Sequence, residues 1–240
     1  MQYRMTIIIP VYNEIDNLDR IYSTFTDYFS KSKTKSKVLF IDDGSTDNSF
    51  TKIAEICEGN PDFEYLKFKN NCGLSAAIKA GIDHIKTELI GYIDADLQTT
   101  PYDFDLLLAE IDNYQAVIGY RGKRKDTLNK KIQSVIANSI RRGLINDGII
   151  DTGCPLKVIH TDVAKKIPFF KGMHRFIPAL ILLQNGKIKQ LRVQHFERIA
   201  GKSKFNIFNR SLKALRDTFA YRWMRSRYIN YTIEKSKIDS

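Results

Sequence analysis

Four short apolar runs punctuate the first hundred residues, and each ends on polar residues of the kind that make turns. MTIIIPVYN (5–13), KVLFIDDG (37–44), YLKFKN (65–70) and LIGYIDAD (89–96) are rich in β-branched and aromatic side chains, which predicts buried strands. Between them, residues 14–30, 46–58 and 74–86 carry apolar side chains at helical spacing, and Asp47 and Ser75 stand where a first turn or a cap is needed. Strand and helix alternating at these intervals imply a largely parallel, Rossmann-like sheet flanked by helices. Ligands of such sheets bind beyond the carboxyl ends of the strands. PVYNE (10–14), DDGSTD (42–47) and DAD (94–96) each fall at such an end.

A chain of 240 residues with 43% hydrophobic and 27% charged residues is long enough for one large α/β domain with a tail. Cys57, Cys72 and Cys154 show no metal-type pairing, and MQYRMTIIIP lacks a charged region followed by a long apolar run, so a reducing cytoplasm is expected. The apolar run at 176–183 is far short of the roughly 20 residues that span a bilayer, and no transmembrane helix is expected. The net charge of +11 is unevenly spread: residues 1–110 hold 11 Lys+Arg against 18 Asp+Glu, residues 111–240 hold 27 against 9. Carboxylates gather where a cation binds and basic residues where a phosphate or anionic surface binds; solvated faces of unequal sign are the plain alternative.

In an extended chain Asp94 and Asp96 share a face, with Gln98 next in line. Two like charges side by side call for a cation, unless the pair only caps the segment that starts at Pro101. Neither GxGxxG nor GxxxxGK[ST] occurs, so a nucleotide has to be held by other means. Pro10, Tyr12 and Glu14 are placed to shape one wall of a site. Asp43 is placed to accept hydrogen bonds from a base or ribose, and Asp94 from a ribose hydroxyl.

Taken in order, PVYNE, IDDGSTDNS, NCGLSAAIKAG and DADLQ make the chain resemble the family 2 glycosyltransferases, whose GT-A fold is a nucleotide-binding α/β sheet. The resemblance implies that Asp96 binds a metal ion with help from Gln98, while Asp94 faces the nucleotide. Hard oxygen ligands suit Mg²⁺ or Mn²⁺, which offsets charge on a departing nucleoside diphosphate.

Many relatives that glycosylate a hydroxyl carry a Glu-Asp pair after the DxD, because the hydroxyl must lose a proton to a base. No adjacent Glu-Asp pair occurs in this chain, and GMHRFIPAL (172–180) stands where one is expected. A phosphate monoester, with a second pKa of about 6, needs cations rather than a base. Residues 119–142 hold eight Lys+Arg and one Asp, and VQHFERIAGKSKF (193–205) sets Arg198, Lys202 and Lys204 around a glycine and Ser203. These stretches resemble the polyprenyl-phosphate glycosyltransferases, the dolichol-phosphate mannosyltransferase group. The resemblance assigns Arg121 and Lys130 to the acceptor lipid phosphate, and Arg198, Ser203 and Lys204 to donor diphosphate or acceptor. It also singles out Asp151 in DTGCPLK (151–157), as orienter of a basic residue, acid/base or turn cap. His174 and Arg175 either line the acceptor side or are a packed histidine with an ordinary salt bridge. Cys72 and Cys154 read as small core or loop residues.

In the last segment Phe208, Leu212, Leu215, Phe219 and Trp223 form a helical stripe, and 204–227 hold seven Lys+Arg against Asp217. A basic amphipathic helix of this kind lies on an anionic membrane surface or packs on the catalytic domain or a partner. The expected division is a catalytic domain at 1–205 and a helical docking segment at 206–240. The expected activity is metal-dependent, inverting transfer of a sugar from a UDP- or GDP-linked donor to undecaprenyl or dolichyl phosphate. Its place is the cytoplasmic membrane face, peripherally, with an integral-membrane partner or a second copy as further candidates. The rivals are a transferase to a glycan or protein hydroxyl, and a non-catalytic surface- or nucleic-acid-binding protein; nucleic acid is not expected, since no recognised module for it is present.

Overall fold

The computed structural model describes residues 2–122, 145–197, 207–229, 231 and 234, with backbone alone along 207–215. A seven-stranded sheet runs through it in the order β3-β2-β1-β4-β6-β5-β7. β1 (Met5–Val11), β2 (Ser36–Asp42), β3 (Phe63–Lys67) and β4 (Leu89–Tyr92) form its parallel half. β5 (Ala116–Arg121) and β7 (Ile188–Val193) pair in parallel with each other, and β6 (Lys157–His160) is wedged antiparallel between β4 and β5. The largely parallel α/β sheet expected from the strand-helix alternation is therefore present, with one reversed strand that the alternation did not announce.

β1 and β2 are buried on both faces, which is why they read as continuous apolar runs rather than alternating ones. One core layer is filled by α1 (Ile15–Lys31), α2 (Ser49–Cys57) and α4 (Phe104–Leu108), with Phe25, Tyr28, Phe40 and Phe104 at its centre. The opposite layer holds α3 (Leu74–His84), α5 (Thr161–Lys165) and α6 (Ile177–Leu183). The eight-residue apolar run at 176–183 is thus core helix. Among the described residues no helix is long and apolar enough to cross a membrane.

The last helix, α7 (Ile207–Arg227), joins the second layer through one face. Tyr221 is buried, stacks on Phe176 with centroids 5.6 Å apart, and donates its hydroxyl to the Ala179 carbonyl. Thr218 is buried beside it, and Arg225 donates to the Ile145 carbonyl. Phe219 and Trp223 face away, 54% and 68% exposed, flanked by exposed Arg216, Arg222 and Arg227. The described part of the expected stripe is therefore the outer face of the helix. The side chains of Phe208, Leu212 and Leu215 lie outside the described residues.

Candidate active site

Because β6 is reversed, the ends of β1, β2, β4, β5 and β7 and the start of β6 all reach the same edge of the sheet. That edge collects PVYNE, DDGS, DADLQ, Arg121, Lys157 and the segment 194–197.

The loops after β1 and β2 are stitched together. Asn13, in the left-handed region at φ 52°, accepts from the Thr46 N–H at 2.7 Å and donates its own N–H to the Ser45 hydroxyl at 3.0 Å. Gly44 has φ 68°, and a Cβ there would lie 2.5 Å from the backbone carbon of Asn70, so only glycine lets the two loops approach. Asp43 binds that neighbouring loop: its carboxylate accepts from the N–H groups of Cys72 and Gly73 at 2.7 and 2.9 Å and from the Asn71 amide at 3.0 Å. Burial raises the Asp43 carboxyl, and the two N–H groups oppose the shift. Asp43, expected to meet a base or ribose, is here bonded into the neighbouring loop at 71–73. Asp47 stands one residue before the N-cap Asn48 and accepts from the first N–H of α2, that of Ser49, at 2.9 Å. Ser75 does not act as a cap; its hydroxyl accepts from Gly172 N–H and meets His174 Nδ1 at 2.8 Å.

The DAD stretch corrects the alternation argument. β4 ends at Tyr92, and residues 94–97 form a turn closed by Leu97 N–H to the Asp94 carbonyl at 3.3 Å. Leu97 takes φ 47°, which a leucine adopts only at a cost of about 1 kcal/mol or more. The two carboxyls are brought near one another by a turn, not by strand pleat. Asp94 accepts from the Tyr92 hydroxyl at 2.6 Å. Crowding by protein atoms pushes its carboxyl up although its surface is only half-buried; Asp96 adds to the rise, while Tyr92, Lys157 and Arg121 oppose it. Asp96 is buried, with Oδ1 accepting from Gln98 N–H at 3.2 Å.

Two flanks hold this turn. From α1, Arg20 donates to the Asp96 carbonyl at 2.6 Å. From beyond β7, Phe196 N–H donates to the Gln98 carbonyl at 2.8 Å, and His195 Nδ1 lies 3.1 Å from the same oxygen. The Gln98 amide reaches the Phe196 carbonyl at 3.5 Å. The oxygen chemistry of the Asp96 carboxylate and the Gln98 amide is of the kind a hard divalent cation takes, and the Asp94 carboxyl stands close enough to feel the Asp96 charge.

Arg121 closes β5 and forms a two-pronged pair with Asp151, Nε to Oδ2 at 2.7 Å and Nη2 to Oδ1 at 2.9 Å. Burial alone would lower the guanidinium, but Asp151 outweighs it and the net shift is upward. A Cβ at Gly153 would lie 2.9 Å from Arg121 Nη2, so the small residue leaves room for the pair. Near it lies Lys157 of DTGCPLK, 3% exposed, a residue to which the motifs assign no role. Its ammonium donates to the carbonyls of Cys154 and Pro155 and stands 5.4 Å from the Tyr92 ring centroid. Burial depresses its pKa. A lysine inside LKVIH was the one available signal, and charge in a buried strand is rare without partners.

Pro10 lies in β1, Tyr12 and Glu14 follow it, and all three are partly exposed. Lys130, Arg198, Ser203 and Lys204 lie outside the described residues. Arg175 pairs with Asp217 of α7 at 3.7 Å, and Cys154 is buried with its thiol pushed up by that burial.

Residues 6–168 match the model of the family described as Glycosyl transferase family 2. Among curated proteins the chain is similar to the dodecaprenyl-phosphate galacturonate synthase of Rhizobium johnstonii, 28% identical over 220 residues, 89% of this chain and 64% of that protein. It thus spans just under two thirds of that relative's length. Among solved structures it resembles glucosyl-3-phosphoglycerate synthase from Mycobacterium tuberculosis. With the complex holding phosphoglyceric acid the TM-score is 0.70 at 12% identity, covering 95% of this chain and 81% of that one. With the complex holding Mn²⁺, uridine-diphosphate and glucosyl-3-phosphoglycerate it is 0.71 at 12%, covering 92% and 80%. At that identity the likeness is one of fold, and it agrees with the GT-A architecture expected from the motifs.

Proposed function

The chain belongs to glycosyl transferase family 2, and on that footing we propose that it moves a sugar, with inversion, from a nucleotide-sugar donor to a polyprenyl phosphate at the cytoplasmic face of a membrane. The observation that carries the acceptor is Arg121. It ends β5 at the same edge as the DAD turn, and Asp151 holds two of its donor atoms while Nη1 makes no hydrogen bond among the described residues. A guanidinium fixed at this edge by its pair with Asp151 suits a phosphate oxygen. The dodecaprenyl-phosphate substrate named for the Rhizobium johnstonii relative supports the same class.

On this reading the acceptor's phosphate oxygen attacks the anomeric carbon, the bond from that carbon to the donor diphosphate breaks, and the nucleoside diphosphate leaves. Asp96, with Gln98 beside it, would hold Mg²⁺ or Mn²⁺, which when bound neutralises charge on the leaving diphosphate. Glu14 and the loops clasped by Asp43 receive the UDP or GDP portion. Asp94 accepts from the ribose, and Arg121 orients the acceptor with no general base required. Lys130, Arg198, Ser203 and Lys204 are assigned to the same phosphates by family resemblance.

The outer face of α7 deepens the assignment. Phe219 and Trp223 stand four residues apart, ringed by Arg216, Arg222 and Arg227 with no acidic residue among them, which complements an anionic bilayer. The segment from 206 onward is therefore read as a peripheral docking element, packed on the 1–205 catalytic domain through Tyr221.

The deciding experiment is nucleoside diphosphate release with Mn²⁺ or Mg²⁺ across UDP- and GDP-sugars, with and without undecaprenyl phosphate in detergent. Release that needs both metal and lipid phosphate is expected. Equal release without lipid would move the acceptor to water or a hydroxyl.

A further inference from the structure

The strained turn that carries Asp96 is held from α1 by a chain of hydrogen bonds that begins in the nucleotide wall. Glu14 Oε2 accepts from the Asn17 amide at 2.7 Å, and Glu14's carbonyl accepts from the Asn17 N–H at 2.9 Å. Asn17 is fully buried, and its Oδ1 accepts from Arg20 Nη2 at 3.0 Å. The same Nη2 donates to the Asp96 carbonyl at 2.6 Å. Both hydrogens of one nitrogen are thus spent, one on the wall residue's partner and one on the metal turn.

Such a bond has a physical task here. Leu97, the next residue, sits at φ 47° and is 7% exposed, and a conformation of that kind persists only where the surroundings over-determine it. The 195–196 segment restrains the turn from the far side through the Gln98 carbonyl. Arg20 is the described side chain that restrains it from the near side at the ligand residue itself. A charge-assisted bond to the peptide between Asp96 and Leu97 fixes the plane of that peptide, and with it the direction in which the Asp96 side chain leaves the backbone.

We propose that Arg20 is the positioning residue of the metal site. It does not touch the ion; it presets the 94–97 turn so that Asp96 is aimed before metal arrives, and it ties that aim to Glu14, the wall that receives the nucleotide. This rests on Asp96 being the metal ligand, as proposed above.

The test measures Mn²⁺ binding by electron paramagnetic resonance on the full chain, alone and with UDP or GDP, in Arg20→Met, Arg20→Lys and Asp96→Ala, with thermal melts alongside. Arg20→Met is expected to melt near wild type and bind Mn²⁺ with nucleotide about tenfold more weakly, the scale of one hydrogen bond to a charged group. Metal-free nucleotide binding is expected to stay within about twofold, because Asn17 still holds Glu14. Arg20→Lys, which keeps the charge but not the planar fork, is expected to fall between. Wild-type Mn²⁺ affinity in folded Arg20→Met, with affinity lost in Asp96→Ala, overturns the proposal and leaves the metal reading standing. Unchanged affinity in Asp96→Ala removes the metal reading and the proposal with it. If Arg20→Met fails to fold, wild-type Mn²⁺ affinity in Arg20→Lys overturns it equally.

Discussion

Arg121 and Asp151 meet through two parallel hydrogen bonds of 2.7 and 2.9 Å, with side chains 10% and 19% exposed, across thirty residues of sequence. Asp151 also accepts from the backbone N–H of Arg121 and of Gly153, so one carboxylate fixes both the arginine head and the loop beneath it. Of the three roles open to Asp151 from sequence, orienting a basic residue is the one this geometry favours.

If that is its role, Arg121 and Asp151 act as a unit. Arg121→Lys, Asp151→Asn and the double variant are expected to lower turnover with lipid phosphate by similar amounts, with a coupling of about 1.5 to 3 kcal/mol between the two sites. Additive losses in steady-state rates would show that Asp151 acts on its own.

Gly44 is expected to tolerate no side chain. Gly44→Ala combines a left-handed φ of 68° with a Cβ driven 2.5 Å from the Asn70 backbone, costing about 1 to 3 kcal/mol and several degrees of melting temperature. Nucleotide affinity measured by calorimetry should fall with it, since the Asp43 clasp closes on the same loop. A melt and affinity equal to wild type would show that the loops separate freely.

Lys157 makes stability depend on pH in a definite direction. Its folded pKa lies below the ordinary value of about 10.4 because the charge is buried. Between the two values the unfolded chain holds a proton the folded chain has released, so wild-type stability rises with pH across that window. Below the folded value the full cost of the buried charge is present. Lys157→Met removes this dependence, so the melting temperature of wild type relative to the variant should climb as the pH rises toward the ordinary lysine value. A gap that stays flat over that range would contradict the depressed pKa.

Trp223 is the one tryptophan in the chain and stands on the outer face of α7. Vesicles containing phosphatidylglycerol should shift its emission to the blue, and neutral phosphatidylcholine vesicles should do so far less. Phe219→Ser is expected to weaken the shift. No shift with anionic vesicles, together with binding to a protein, would assign the face to a partner instead.

The sheet was legible because its strands are apolar on both faces and its turns polar, so β1, β2, α1 and α3 fall within a few residues of where periodicity places them. The reversal of β6 was not, since KVIH reads the same in either direction. DAD was legible as a pair of carboxylates at a strand end, yet its geometry was not, because nothing in the letters marks Leu97 as left-handed. Arg20 escaped for a different reason: in sequence it is one more charged residue on a helix, and its partner lies 76 positions away. Trp223 and Phe219 were read as a stripe, but which side the stripe faces depends on where Tyr221 finds Phe176.

The reversed strand also sets an order of events during synthesis. In the finished sheet β5 lies between β6 and β7 and does not touch β4, so when it leaves the ribosome it has no neighbour to join. The DAD turn likewise waits about a hundred residues for 195–196 to close on Gln98. The half that carries PVYNE and DDGSTD is therefore made early, while its DAD turn stays unclosed until residues 195–196 have emerged, so on the function proposed above donor binding has to wait for that closure.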